Sequence, residues 1–296
     1  MAAASTPTGT DIFDRTRRAQ RRARRGTGAE AAPGFFDQQM ADALIERIDD
    51  VTHSFEHGLL IGARNPSLIA ALRPRCTNWT IFDANPALAA RYSGLSGDED
   101  RLPVDPESYD LIVWPGGLDS VNDVPGALLR CRLALKADGL LIGCVVGDGS
   151  FATTRQAMAT ADAPMAIARM HPQLSLQSIC DLLQKTGFAM IVTDVERLTL
   201  AYRSLDDVVA DIRRAALGTV LAGPVHQISR AVRARATTAF AAQGRADAAG
   251  ERRTVERVNI IHFSGWAPHP SQPQPAKRGS GTASLAQALT PKSSPQ

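Results

Sequence analysis

Three consecutive segments decide the fold: Tyr109-Asp110-Leu111-Ile112-Val113-Trp114, Val124–Lys136 and Leu140-Leu141-Ile142-Gly143-Cys144-Val145-Val146. The first and third are apolar runs that favour β-structure, and the second has leucines on or near one side of a helix. A turn at Asp138–Gly139 leads into the third segment. A strand, a helix and a strand in this order, with almost continuously apolar strands, predict a parallel sheet that helices cover on both faces.

The same alternation continues in both directions along the chain, which places the protein in the α/β class. Asn65 is the expected N-cap of one helix, and Pro66 is its expected first residue. The other strands are predicted at His57–Gly62, Trp79–Asp83, Phe188–Tyr202 and Arg257–Trp266. The other helices are predicted at 35–52, 65–72, 86–92 and 175–186, with two more in an insertion at about 204–243 before the last strand.

Composition divides the chain into three parts. Residues 1–34 are predicted to form a basic, partly disordered N-terminal arm, and residues 35–266 the folded domain. Residues 267–296 are rich in Pro, Gly and Ser and form a tail that cannot fold alone. Within the arm, Asp11 is a candidate cap and Gly26 a candidate end for an arginine-rich helix. A solvated helix is the favoured interpretation, and contact with an acidic partner or a membrane surface is the alternative.

Charge and composition exclude several classes of protein. The chain has 296 residues with 33 basic and 30 acidic side chains, a net charge of +3 that argues against a protein built to coat nucleic acid. It has no apolar window long enough for a membrane span. Its four cysteines are widely spaced, which is typical of reduced cysteines in a cytoplasmic protein. A peripheral position at the inner membrane is the alternative location.

Two carboxylates stand where a parallel sheet binds ligands, beyond the carboxyl ends of its strands. Asp83 ends one predicted strand, and Asp98 lies in the loop before the next. A carboxylate at the first place can accept both hydroxyls of a ribose, and one at the second can accept an adenine amino group. Taken singly, each is more often a solvated or capping carboxylate.

Three motifs, in order, resemble class I S-adenosylmethionine methyltransferases: Leu102–Val113, Leu135–Ile142 and Leu182–Phe188. The resemblance implies a Rossmann-like fold with a mostly parallel seven-stranded sheet. It also implies S-adenosylmethionine as the cofactor and a small molecule or a protein as the methyl acceptor.

A narrower resemblance rests on Ile12–Arg15, Val121–Leu128 and Gly265–His269. These segments are similar to the branch that contains the mitochondrial complex I assembly factor, an arginine hydroxylase, and the biotin-pathway malonyl-carrier-protein O-methyltransferases. The resemblance implies a role in respiratory complex I assembly, with a complex I subunit as partner, or methylation of a carrier-protein ester.

The resemblance also implies which positions contact the cofactor. No catalytic base is assigned, because the histidines are scattered along the chain, and none has the spacing of metal ligands. Of these, His226 and His262 are expected nearest the insertion. The implied cofactor-binding residues are Gly62, Ala63, Asp83, Ala84, Asp98, Glu99 and Trp114.

The loop after the first predicted strand departs from the family pattern. Leu60 stands in place of an acidic residue, Arg64 in place of a glycine, and Pro66 removes a backbone donor. Two hypotheses follow. The protein is a methyltransferase whose cofactor loop is reshaped, with Arg64 available for the cofactor's carboxylate, or it is a non-catalytic assembly factor that keeps the fold as a scaffold.

Overall fold

The computed structural model describes residues 11–26 and 33–273, without the side chains of residues 24–26. The predicted tail beyond residue 273 and the segments 1–10 and 27–32 therefore lie outside the described residues. The described helices are α1 (Arg15–Gly26), α2 (Phe35–Asp49), α3 (Pro66–Leu72), α4 (Pro86–Ala90), α5 (Val124–Ala134), α6 (Ala152–Asp162), α7 (Leu176–Lys185), α8 (Leu205–Arg214) and α9 (Arg230–Ala242). The described strands are β1 (Phe55–Ile61), β2 (Cys76–Asp83), β3 (Leu95–Ser96), β4 (Tyr109–Pro115), β5 (Leu135–Val146), β6 (Ala189–Tyr202), β7 (Arg245–Ala246) and β8 (Arg252–Trp266).

The main sheet has the strand order β3-β2-β1-β4-β5-β8-β6, with β7 paired to the side of β8. Strands β1 to β5 run parallel, whereas β8 is antiparallel to both of its neighbours. The expected α/β fold with a mostly parallel seven-stranded sheet is confirmed. Strand order reverses between β1 and β4, so their carboxyl ends border the crevice where such sheets bind ligands.

Two apolar clusters cover the two faces of the sheet. One includes residues of α2, α3, α6, α8 and α9, and the other includes residues of α5 and α7. Leu59 and Leu60, which are adjacent in β1, belong to different clusters and are both fully buried. Burial on both faces explains why these strands are continuously apolar instead of alternating.

Side-chain hydrogen bonds cap α3 as expected, whereas the cap of α1 differs from the expected residue. The Asn65 side chain accepts hydrogen bonds from the backbone N–H groups of Ser67 and Leu68, and Pro66 begins α3. The cap of α1 is Asp14, whose carboxylate accepts from Arg17 N at 2.8 Å, and not Asp11 as the sequence suggested. Asp14 stands three residues before that N–H, which is the usual capping distance.

Strand β5 and helix α6 differ from expectation. Strand β5 begins at Leu135, so the predicted turn at Asp138–Gly139 is an irregularity within the strand, where Asp138 has φ of 62°. The ladder between β4 and β5 shifts register at this point. Helix α6 was not predicted, because its sequence is rich in Ala and Thr and has no wide apolar stripe.

Candidate functional site: a cleft closed by arginines

The carboxyl ends of β1, β2 and β4 form one cleft. Gly62 follows β1, and Asp83 ends β2 with only 1% of its surface exposed. The Asp83 carboxylate accepts hydrogen bonds from the backbone N–H groups of Ala63 at 2.7 Å and Asn85 at 2.8 Å. The fold therefore brings Gly62, Ala63 and Asp83 together, as the sequence predicts for the ribose end of a nucleoside site.

Helix α1 lies over this cleft and fills it with arginine side chains. Arg15, Arg18 and Arg22 are spaced i, i+3 and i+7, which puts them on one face of the helix. The Arg22 guanidinium binds Asp83 through two hydrogen bonds, Nε to Oδ1 at 3.1 Å and Nη2 to Oδ2 at 2.6 Å. The Asp83 carboxylate, which would accept hydrogen bonds from the two ribose hydroxyls, already accepts them from the Arg22 guanidinium.

The other two arginines of this face bind the acidic loop before β4. Arg18 forms an ion pair with Glu99, and it donates to Ser120 Oγ at 2.8 Å and to the carbonyl of Gly117 at 2.9 Å. Arg15 contacts Asp100 at 2.7 Å and Asp98 at 3.4 Å. The three arginines thus pair with Asp83 and with the three carboxylates of this loop, and we call this set of seven side chains the arginine ladder.

Within the ladder, Arg22 and Asp83 each stabilise the charged form of the other. Burial works to lower the pKa of Arg22, but the charge of Asp83 and the hydrogen bonds to it outweigh burial and raise that pKa above its ordinary value. Burial works to raise the pKa of Asp83, but Arg22 and the backbone donors hold that pKa below its ordinary value. Both groups are therefore charged at neutral pH, and the pair is buried.

This arrangement corrects the expectation of a solvated N-terminal helix. Arg18 and Arg22 are only 7% and 8% exposed. Arginine is a good helix former, but a run of seven arginines within 11 residues repels itself unless acids neutralise it. The carboxylates of the cleft supply that neutralisation, so α1 packs against the domain.

Little space remains in the cleft. The remaining cavity measures about 40 Å³, whereas pockets that hold small-molecule ligands measure roughly 300–1,000 Å³. None of the seven predicted cofactor residues lines this cavity. It is lined by Arg18, Arg22, Asp37, Met40, Arg64, Pro115, Gly116, Gly117, Asp119, Ser120, Val146, His171, Ala215, Ala216, Leu217 and Val220.

The remaining predicted cofactor residues lie in different surroundings. Glu99 is buried against Arg18, and Asp98 is 32% exposed beside Arg15. Burial and the neighbouring carboxylates raise the pKa of Asp98, although Arg15 opposes them. Ala84 follows Asp83 and is half-buried. Trp114 is 1% exposed and packs in the apolar cluster shared with α5 and α7, so its side chain lies in the core and outside the cleft lining.

Arg64 binds the insertion instead of filling the ribose site. Its guanidinium donates to the carbonyls of Ala215 and Arg214, each at 2.8 Å, at the carboxyl end of α8. A cation at this end of a helix interacts favourably with the helix dipole. Arg64 therefore connects the loop after β1 to α8.

Two sequence motifs that are far apart in the chain meet at the start of α1. The Asn122 side chain accepts from Phe13 N at 2.8 Å and donates to Phe13 O at 3.0 Å. Phe13 also pairs with Leu221 in the α8–α9 loop, and Asp14 N donates to Val220 O at 2.8 Å. The start of α1 therefore connects the loop after β4 to the insertion.

One histidine that the sequence left unassigned lines the cleft. His171, in the segment between α6 and α7, is 5% exposed, and its Nε2 lies 2.9 Å from Asp119 Oδ2. His262 lies within β8, and the backbone carbonyl of His226 binds Arg169 at a separate groove. His226 lies within the insertion, but neither of these two histidines lines the cleft cavity. The sequence carries no signal that pairs His171 with Asp119, because 52 residues separate them.

Gly62 provides a local test of the ladder. Gly62 has φ of +121°, and a Cβ built there would lie 3.1 Å from Arg22 Nη2. Gly187 has φ of +84° with no heavy atom within 4 Å of the same position, so it is a matched control for backbone strain alone. We expect Gly62→Ala to lower the free energy of unfolding by about 1 kcal/mol more than Gly187→Ala, because it also displaces Arg22.

The measurement is urea unfolding of both variants, each in the presence and absence of Arg22→Ala. The excess cost of Gly62→Ala should disappear once Arg22 is removed. An equal cost in both backgrounds would show that Arg22 does not occupy the space above Gly62.

Neither a metal centre nor a membrane-spanning helix is found in the described part of the chain. Residues 11–26 and 33–273 contain no group of three or more His, Cys, Asp and Glu side chains placed to hold a metal ion. Across the same residues, no helix has the length and apolar character needed to cross a bilayer.

Comparison with known proteins identifies similar sequences and a similar fold. No family model matches the chain. The mitochondrial arginine-hydroxylase NDUFAF5 of Danio rerio is 22% identical over 295 residues, covering 95% of this chain and 91% of that protein. A malonyl-[acyl-carrier protein] O-methyltransferase of Coxiella burnetii is 26% identical over 185 residues, covering 61% of this chain and 64% of that protein.

Among solved structures, a Bacillus halodurans C-125 protein assigned as a methyltransferase matches with a TM-score of 0.54 at 12% identity, covering 78% of this chain and all of that one. At this identity the likeness concerns the fold. The chain therefore has the fold of class I S-adenosylmethionine-dependent methyltransferases, and its sequence is distantly similar to the NDUFAF5 arginine hydroxylases and the malonyl-carrier-protein O-methyltransferases.

Proposed function

We propose that this protein is an S-adenosylmethionine-dependent methyltransferase whose donor site is the cleft between the ends of β1, β2 and β4. The observation that carries the proposal is Asp83, a buried carboxylate beside Gly62 at the point where strand order reverses. Glu99 and Asp98, in the loop before β4, stand near the adenine end of such a site. When bound, S-adenosylmethionine supplies a methyl group already activated on a sulfonium.

The carboxylates of the cleft suit the hydroxyl and amino groups of a nucleoside, but the remaining cavity is too small for a nucleoside while α1 is packed against the cleft. Arg22 and Arg18 occupy the carboxylates of the cleft, and about 40 Å³ remains. We therefore propose that the described state is closed, and that binding the nucleoside requires the α1 face to leave Asp83 and Glu99. Because α1 is bonded to the α8–α9 loop, the same movement would release that loop.

We infer the class of acceptor from the names of the distant relatives. We propose a protein or carrier-bound acceptor, because the two kinds of relative are named for an arginine hydroxylase and for a methyltransferase of a carrier protein. A subunit of respiratory complex I is the partner that the family resemblance favours, reached from the cytoplasmic side of the inner membrane.

A scaffold without catalysis is the second candidate, and the arginine ladder favours it. In that case Arg22 permanently replaces the cofactor as the partner of Asp83, and Leu60 and Arg64 mark a loop no longer shaped for methionine. Helix α1 would then be part of the fold, so a partner would bind another surface.

Isothermal calorimetry with S-adenosylmethionine and S-adenosylhomocysteine separates the two candidates. We expect weak binding by the unmodified chain and none by Asp83→Ala, because the variant loses the acceptor for the ribose hydroxyls. Val225→Ala, at an exposed position outside the cleft, is the control that should bind as the unmodified chain does. Absence of binding by both the unmodified chain and Arg22→Ala would favour the scaffold.

A further inference from the structure

A second cavity lies between α1, α6 and α8, and it is separate from the cleft that Asp83 borders. It measures about 250 Å³, and none of the described residues that line it also lines the cleft cavity. The segment between α6 and α7 and the α8–α9 loop complete its walls. We call this cavity the outer groove. Pockets that hold small-molecule ligands measure roughly 300–1,000 Å³, so the outer groove has room for one short chain of atoms.

The apolar part of the outer groove is aliphatic. Its side chains come from Met158 in α6, from Ile167 and Met170 between α6 and α7, and from Ile212 in α8. Ile228, which precedes α9 and also lines the groove, is 50% exposed. The described lining residues include no Phe, Tyr or Trp. Flexible methionines and branched aliphatic side chains suit a flexible alkyl chain, which would shield Ile228 from water.

The charged part of the outer groove is basic. Arg17 and Arg21 of α1, Arg169 and Arg213 line it, and the described lining residues include no carboxylate. Arg169 is already paired with Asp162 at 2.7 Å. Arg213 is exposed and forms no ion pair with any described residue. The groove therefore has a positive charge that its own lining does not balance, which favours an anionic group.

The arginines of α1 are held at the outer groove by the α8–α9 loop. A Cβ built on Gly218 would lie 2.5 Å from Arg21 Nη1, so the guanidinium packs directly against this glycine of the lining. Arg17 donates to the carbonyls of Leu221 and Gly223 in the same loop. The groove is therefore complete only while α1 is packed against the domain, and a ligand bound there would stabilise that packing.

We propose that the outer groove binds an aliphatic carboxylate, such as a free medium-chain fatty acid. The alkyl chain lies along the methionine and isoleucine side chains, and the carboxylate accepts hydrogen bonds from the arginines, of which Arg213 is exposed and available. A ligand with these two parts matches both the apolar surface and the charge of the lining. The site is separate from the proposed donor site, so the inference does not depend on S-adenosylmethionine binding.

A structural role is the competing explanation. Arg213 lies in the last turn of α8, where a cation interacts favourably with the helix dipole without any ligand. A single exposed apolar side chain such as Ile228 is also normal on a protein surface. The two explanations differ only in whether the groove binds a ligand, so the test measures binding at the groove itself.

The methionine methyl groups report on each cavity separately. Met158 and Met170 line the outer groove, Met40 lines the cleft cavity, and Met190 is exposed on β6 and lines neither. In methyl NMR spectra of the full chain, we expect monomeric octanoate to shift the signals of Met158 and Met170 and to leave those of Met40 and Met190 unchanged. Acetate, which lacks the alkyl chain, and octylammonium, which has the opposite charge, should shift none of the four signals.

Two arginine variants separate the charge of the outer groove from the charge of the whole protein. Arg213→Gln should weaken octanoate binding by about fivefold, the upper end of the effect of an exposed charge pair. Arg252→Gln removes an exposed arginine of β8 outside the groove lining and is the matched control, which should leave the affinity unchanged. Both side chains are exposed, so both variants should fold.

Several results would overturn the proposal. These are equal affinities in the two variants, equal shifts from octanoate and octylammonium, shifts confined to Met40, and no shift with octanoate. Binding of the chain to phosphatidylglycerol vesicles, with no methyl shift from octanoate, would assign the groove to a membrane surface and would also refute a site for a free carboxylate.

Discussion

Replacing Arg22 with alanine should raise the affinity of the cleft for S-adenosylhomocysteine by roughly 100-fold or more while lowering stability. Arg22 is the arginine bound to Asp83, so the nucleoside must displace it. Removing one member of a buried ion pair costs about 3–5 kcal/mol, because the remaining charge is buried without a partner. Ribose hydroxyls would then donate to that charge, and a gain of about 2.7 kcal/mol in binding corresponds to that 100-fold.

Calorimetry and thermal unfolding, each with and without S-adenosylhomocysteine, measure the two effects of Arg22→Ala. Gln20→Ala is the matched control on the same helix, since the Gln20 side chain is exposed to solvent. The control should leave the affinity within a few-fold of the unmodified chain. An Arg22→Ala protein that loses stability yet binds the nucleoside no better would mean that the ladder is a fixed part of the fold, and the scaffold would be preferred.

The sheet could be predicted because burial on both faces leaves a strong signal. The apolar runs in β4, β5 and β8 are long, and turn residues or helix caps such as Asn65 and Pro66 bound the elements. Trp114 was assigned to the cleft from the family resemblance, and its strand pattern could not correct that assignment. In a strand without alternation, the sequence does not tell which face a side chain occupies, and the indole packs in the core.

The closed cleft could be predicted only in part. Asp83, Asp98 and Glu99 were identified as acids of the site, and the i, i+3, i+7 spacing of Arg15, Arg18 and Arg22 was present in the sequence. What the sequence lacked was a link between the two sets, because 61 residues separate Arg22 from Asp83 and 81 separate Arg18 from Glu99. Long-range ion pairs leave no periodicity, so a helix that neutralises a pocket looks like a helix exposed to solvent.

Replacing Asp83 with asparagine should have the opposite effect on the nucleoside and a similar effect on stability. The amide keeps the size of the carboxylate and can still accept from Ala63 N, but it leaves the Arg22 charge buried without a counter-ion, at a cost of about 3–5 kcal/mol. Affinity for S-adenosylhomocysteine should fall below detection, whereas Arg22→Ala raises it. Opposite changes in affinity with parallel losses of stability identify Asp83 as the group for which α1 and the nucleoside compete.

A double-mutant cycle and a pH series make the interpretation of Asp83→Asn quantitative. The cost of Arg22→Ala combined with Asp83→Asn should be smaller than the sum of the single costs by on the order of 2 kcal/mol in urea unfolding, because each single change leaves the other group unpaired.

The pKa of Asp83 is lowered in the folded protein. The contribution of Asp83 to the free energy of unfolding is therefore complete above the ordinary aspartate pKa of about 3.9, and it is lost as the pH falls through the lower folded pKa. The stability difference between the unmodified chain and Asp83→Asn should therefore be constant from pH 5 to 8 and shrink only below that ordinary value. Additive costs, or a difference that already declines near neutral pH, would show that the two side chains are not coupled as a buried ion pair, and the competition between α1 and the nucleoside would lose its physical basis.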